Sequence, residues 1–255
     1  MLPKILLKFI YISFISISLL FILSTNKVYA SIGLFADDFS DGNDDGWVKK
    51  DISGYSTKDL WNITDGKYGL VINHGYSISH SIAEDSFGSD YQIEFDMVPM
   101  AGNNRNFIFR YNENYLNTNI DMWYELHWAM NYVHLNKISW PDVEDPTLPS
   151  NFNKPNYVLY PPIYGRAYHW KRIARSNNFK ISVTDTVTNI TTNLFDIDDI
   201  NHPFLSGKIG LRIGNSGEYT EVRFDNIVVT DLSGPELLNV PLILQNDPQW
   251  GSLKY

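Results

Sequence analysis

Seven polar or aromatic side chains between Glu94 and His134 are of the types that handle polyhydroxylated ligands. They are Glu94, Asp96, Arg110, Trp123, Glu125, His127 and His134, and within their runs they occupy alternate positions. Alternation on an extended backbone sends such residues to one face. Two carboxylates flanking a glycosidic bond would cleave it, at about 5–5.5 Å for retention or about 6.5–9.5 Å for inversion. Glu94, Asp96 and Glu125 are therefore the candidate catalytic acids. The same face could instead hold a sugar without cutting it. Trp123 offers a flat apolar surface, while Arg110, Glu125, His127 and His134 supply planar hydrogen-bonding groups. A plain lattice of surface ion pairs, worth little to stability, explains the same residues.

A second constellation is acidic. Asp41-Gly42-Asn43-Asp44-Asp45-Gly46 has the D-x-N-x-D-G spacing of a calcium loop, but Ile52 stands where the bidentate Glu belongs. Asp38, Asp41, Asn43 and Asp45, with Asp225 from the far end of the chain, are the candidate metal ligands. An Asx-rich turn without metal is the competing reading. No cofactor is required, and a structural calcium ion is the one that the residues invite. His74, His80, His169 and His202 are scattered singly and read as packing or loop residues.

Other chemistries lack their residues. The 255-residue chain has no cysteine, which removes disulfides, thiolate nucleophiles and cysteine-ligated metals. It contains no G-x-S-x-G elbow and no glycine-rich phosphate loop. A formal charge of −9 without a basic cluster argues against nucleic acid as partner.

The elements that must position these residues are strands. Tyr91–Met97, Asn106–Tyr111, Met122–Trp128, Tyr132–Asn136, Phe179–Val183, Lys208–Ile213 and Val222–Val229 all alternate apolar with polar residues. In the second run Phe107, Phe109 and Tyr111 are expected inward, with Asn106, Ile108 and Arg110 outward. Turn residues such as Asp65-Gly66, Gly102-Asn103-Asn104 and Gly214-Asn215-Ser216-Gly217 punctuate the series. The pattern predicts an all-β fold, a two-sheet antiparallel jelly-roll sandwich. Residues 139–165 hold six prolines, which predicts a long excursion over the sheet edge or face.

The chain ends differ from this middle. Lys4 and Lys8, the apolar run Phe9–Leu23 and the small Val28 and Ala30 have the form of a signal peptide cleaved before Ser31. Its removal takes away three lysines and no acid, moving the formal charge from −9 to −12. No other stretch is apolar enough to cross a membrane as a helix. The expected organisation is a signal peptide over 1–30, a jelly-roll domain over 31–235 and a tail over 236–255.

Three segments resemble the concanavalin-like and laminin-G-like jelly rolls, including the 3-keto-disaccharide hydrolase-like domains. They are Phe35–Trp47 with Trp61–Tyr68, Phe107–Arg110 with Tyr124–Leu126, and Gly207–Arg212 with Phe224–Val229. The resemblance implies a sugar on the concave sheet face. The E-x-D-x-x-E strand motif of the related glucanases is absent, since Asp121-Met122-Trp123-Tyr124-Glu125 is spaced differently. Asn239–Tyr255 resembles the opening of the bacteriocin-processing, papain-like cysteine peptidases of the C39 type, without their catalytic residues.

Three functions follow as expectations. The first is an exported, bacterial, lectin-like or adhesion module whose partner is carbohydrate or a cell-surface glycan. The second is a glycoside hydrolase using carboxylates of the same face. The third is the targeting or interaction domain of a longer secreted protein, with a peptidase domain downstream in relatives.

Overall fold

A computed structural model describes residues 28–29, 32–54, 56–57, 60–73, 75–114, 120–140, 151–233 and 236–237. Residues 1–27 of the signal segment, His74 and the peptidase-like segment 239–255 lie outside these residues. The contacts divide the chain into two units. In the unit formed by residues 1–30 and 234–255, strands β1 (Val28–Tyr29) and β17 (Glu236–Leu237) pair antiparallel.

The unit Ser31–Ser233 contains all the other strands. In chain order they are β2 (Ile32–Asp37), β3 (Trp47–Gly54), β4 (Asn62–Thr64), β5 (Lys67–Ile72), β6 (Tyr76–Phe87), β7 (Tyr91–Ala101), β8 (Arg105–Asn112) and β9 (Asp121–Trp128). They continue with β10 (Tyr132–Trp140), β11 (Tyr157–Leu159), β12 (Tyr168–Arg175), β13 (Asn178–Asp185), β14 (Ile190–Asp198), β15 (Gly207–Ser216) and β16 (Thr220–Asp231). One sheet runs β11-β10-β9-β8-β15-β6-β3, and the other runs β14-β13-β12-β7-β16-β5-β4 with β2 also on β16. The expected all-β, two-sheet antiparallel jelly-roll sandwich is the fold observed.

Alternation explains the core. On β7 the residues Tyr91, Ile93, Phe95 and Met97 are buried and the intervening Gln92, Glu94 and Asp96 are half-exposed. Rings from the two sheets meet between them. Phe95 stacks on Phe107 with centroids 4.0 Å apart, and Trp128 meets Trp170 edge-on at 5.1 Å. The T-shaped Trp128–Trp170 contact places a positive ring edge against π density, a favoured aromatic geometry.

The proline-rich segment behaves partly as expected. Residues 141–150 lie outside the described ones, but Tyr157–Leu159 pairs with Tyr132–His134 as the edge strand of the seven-stranded sheet. No helix of the described residues is long and apolar enough to cross a membrane.

Candidate functional site

Strand register assembles a row of polar side chains on the outer face of the seven-stranded sheet. Tyr157 stands opposite His134, His134 opposite His127, and His127 opposite Asn106. Asn106 in turn faces Arg212, Arg212 faces His80, and His80 faces Lys50. Directly opposed residues of an antiparallel pair hold their Cβ atoms about 4.5–5.5 Å apart. The row therefore crosses the whole sheet, from edge strand to edge strand. Its sequence positions span Lys50 to Arg212, so no local motif announces it.

A second rung lies beside it, with Asn136 opposite Glu125 and Glu125 opposite Ile108. Glu125 is the anchor. Its Oε2 meets Nη1 of Arg212 at 3.2 Å and accepts from Trp123 Nε1 at 3.3 Å, while Oε1 accepts from Asn136 at 3.2 Å. Burial alone would raise the Glu125 carboxyl, but the charges of Arg212 and His127 and these hydrogen bonds hold it below the ordinary value. Arg212 Nη1 also reaches Asn104 Oδ1 at 3.4 Å. Close approach makes this contact: a Cβ on Gly214 would lie 2.2 Å from the Asn104 amide nitrogen.

Trp123 is buried, at 3% exposure, in a cluster with Ile82, Ile108 and Tyr111. Its ring abuts that of His80 edge-on, with centroids 5.4 Å apart. The expected stacking surface is thus closed. Exposed rings at the β10–β11 edge of this sheet are those of Tyr132 and Tyr157, which are 44% and 58% exposed. With His134, Phe152, Asn153, Lys154, Pro155 and Asn156 they line a groove of about 710 Å³. The His134 ring lies 6.0 Å from Tyr157 and 5.9 Å from His127, continuing the groove into the row.

Several polar atoms of this face are buried without a hydrogen-bond partner: both His80 ring nitrogens, His127 Nε2, Asn136 Oδ1 and Arg212 Nε. Burial pushes His80 well below its ordinary pKa, and the Arg212 and Lys50 charges add to the shift. Burial likewise lowers His127 to about 4 against the opposing pull of Glu125. Both imidazoles are therefore neutral at pH 7, each with one donor and one acceptor.

Other expected site residues are placed elsewhere. Glu94 and Asp96 lie on β7 in the opposite sheet, so the anticipated carboxylate pairs with Glu125 do not form. Arg110 points inward. A bulge between Phe109 and Asn112, with φ of 49° at Arg110, reverses the alternation and leaves Tyr111 on the outer face instead. The Arg110 guanidinium donates to the carbonyls of Phe204, Ser89 and Ser176.

The acidic loop closes on itself. Asp41 Oδ1 accepts from the Asn43 backbone at 3.1 Å, Asn43 Oδ1 from Asp45 at 2.9 Å, and Asp38 Oδ1 from Ser40 at 3.0 Å. Asp225 pairs with Lys67 at 3.2 Å. Among the described residues no group of three or more His, Asp or Glu side chains is arranged to hold a metal ion. These side chains fit Asx turns better than a calcium site.

Sequence reasoning missed His80, Asn106, Arg212, Tyr132 and Tyr157 as members of one face. Alternation within β6, β8 and β15 was the available signal for the first three, and it had already turned Asn106 outward, but only register brings them into one row.

No family model and no curated protein matches the chain. Solved structures do. A Bacillus subtilis protein of unknown function with a galectin-like fold is 12% identical, with a TM-score of 0.54 over 80% of this chain and 98% of that one. The fold is a lectin-like jelly roll. The calcium-bound exoplasmic/lumenal domain of VIP36 is 8% identical, with a TM-score of 0.54 over 79% of this chain and 92% of its own. Basic winged bean lectin with Tn-antigen is 9% identical, with a TM-score of 0.52 over 80% of this chain and all of that one. At these identities the likeness is one of fold.

Proposed function

We propose that this protein is an exported carbohydrate-binding module that takes a saccharide in the β10–β11 groove. One observation carries the reading: the exposed rings of Tyr132 and Tyr157 stand at the open end of a row of hydrogen-bonding side chains that begins with His134 and His127. Ring faces receive the apolar C–H side of a sugar, and the imidazole of His134 serves its hydroxyls. The reading is supported by proteins of the same fold, whose structures include basic winged bean lectin with Tn-antigen and the VIP36 domain bound to Man3GlcNAc. The basic and apolar first thirty residues support export.

The groove is suited to binding rather than cleavage. Both oxygens of Glu125 are engaged by Arg212, Trp123 and Asn136, and the other candidate acids stand on the opposite sheet.

The test is a glycan array followed by titration calorimetry on the best ligand. Replacing Tyr157 or Tyr132 by Ala removes one stacking face, worth about 0.5–1.5 kcal/mol, so affinity should fall up to about tenfold. Melting temperature should change little, because Tyr157 is 58% and Tyr132 44% exposed. Retention of no glycan, or unchanged affinity in both variants, overturns the proposal.

A further inference from the structure

One wall of the proposed saccharide groove belongs to neither sheet alone. Residues 151–157 run from the edge of the eight-stranded sheet to the edge of the seven-stranded one. At the first end Ile200 donates its N–H to the Asn151 carbonyl at 2.9 Å and Phe152 bridges Asp199, both just past β14. At the second end Leu135 of β10 donates its N–H to the Asn156 carbonyl at 2.8 Å and accepts from Asn156 Nδ2 at 3.0 Å. Tyr157, whose ring lies 6.0 Å from that of His134, follows at once.

Asn153 clasps the first end to β14 through one residue, Asp198. Its N–H donates to the Asp198 carbonyl at 3.0 Å, its Oδ1 accepts from the Asp198 N–H at 2.8 Å, and its Nδ2 donates to Asp198 Oδ2 at 2.6 Å. Both backbone groups that Asp198 presents at the sheet edge are thereby paired, as a neighbouring strand would pair them. Asp198 is itself steadied from β13, since its other oxygen accepts from Asn178 Nδ2 at 2.8 Å.

Asn153 lines the groove, yet its side-chain oxygen and nitrogen are both engaged by Asp198. An amide so committed is not free to read sugar hydroxyls, which need open donors and acceptors. What it does is hold. Strand β11 has three residues and one strand neighbour, and Pro155, which has no N–H to donate, stands two positions before it. So short a strand makes too few ladder bonds to fix the Tyr157 ring by itself.

We propose that Asn153 is a positioning residue for saccharide binding: its clasp on Asp198, in the opposite sheet, holds the wall so that the Tyr157 ring stands in place before the sugar arrives. This inference rests on the saccharide reading of the groove. It adds a point of control outside the stacking rings, and it ties the groove to the sheet that does not carry it. When the clasp opens, only a fraction of molecules presents the ring in place, and apparent affinity falls by that fraction.

The test is a double-mutant cycle on the whole protein, read by titration calorimetry with the glycan best retained on the array. Asn153→Ala removes both side-chain bonds and should lower affinity up to about tenfold, a loss bounded by that of the Tyr157 ring. Asn153→Asp keeps the size but sets a carboxylate against that of Asp198, and should lose as much. Combining Asn153→Ala with Tyr157→Ala should cost no more affinity than the larger single change, because both act through one ring. Without any glycan, Asn153→Ala should speed amide hydrogen exchange at Leu135 and Tyr160, whose N–H groups donate to Asn156 and Asn131, and leave Ile93 on β7 unchanged. Additive losses in the double variant, full affinity in Asn153→Ala, or unchanged exchange at Leu135 and Tyr160 overturn the proposal and leave the saccharide reading standing. A wild-type protein that retains no glycan overturns both.

Discussion

At Trp123 the residue type and its surroundings point in different directions. An indole on the polar side of an alternating run reads as a platform, yet here it packs on His80 and Tyr111 and bonds Glu125. Trp123→Ala should therefore act on stability, costing about 3–5 kcal/mol as other large-to-small core changes do. Urea unfolding checks this. A variant of wild-type stability that has lost only sugar binding would show that the ring is a contact surface after all. Tyr157 shows the reverse: it lies in a proline-rich stretch with no alternation to mark it, and pairing with His134 alone gives it a place on the face. Residue type was legible in the sequence in both cases. Exposure was not, because it depends on neighbours contributed by other strands.

Strands β7 and β12 carry on their outer side a cluster that alternation alone did not distinguish from the candidate site. His169 Nδ1 lies 2.8 Å from Asp96 Oδ1, and Asn226 donates to Asp96 Oδ2 at 2.8 Å. The hydrogen bond to Asp96 raises the His169 pKa against partial burial, with the Asp96 and Glu94 charges assisting. Burial would raise Asp96, but the hydrogen bonds from His169 and Asn226 outweigh it and lower its pKa. A raised histidine stabilises the fold fully below its unfolded value of 6.5 and loses that contribution as pH climbs through the folded value. A lowered aspartate contributes above 3.8 and loses it on acidification below that. Hence His169→Gln should lower the melting temperature more at pH 5.5 than at pH 9, a small difference for so exposed a pair. An equal effect at both pH values would remove the ion pair from the account. On β15 the same scale gives a packing prediction. A Cβ at Gly214 collides with the Asn104 side chain, so Gly214→Ala should displace Asn104 from Arg212 and weaken glycan binding more than Tyr132→Ala does. Calorimetry on both variants decides it.

For the whole molecule, acid is the informative perturbation. His80 and His127 are held neutral by burial, so the unfolded chain binds more protons than the folded one as pH falls below 6.5. Stability should be complete above that value and decline toward pH 4, with part of the decline missing in His127→Gln; the pH dependence of the urea midpoint measures it. Alternation and turn chemistry pointed from sequence alone to an antiparallel sandwich and to the inward side of strands such as Tyr91–Met97, and the residue list by itself excludes cysteine chemistry. Those properties are local: they need only the side-chain period of an extended backbone and a list of residue types. Which face a residue joins across strands was decided only by the tertiary structure. The bulge at Arg110 turned that residue into the core, sheet assignment carried Glu94 and Asp96 away from Glu125, and register drew Lys50, His80, Arg212, Asn106, His127, His134 and Tyr157 into one row. A strand's period fixes its two faces, but its neighbours and their offset are set by packing between segments far apart in the chain.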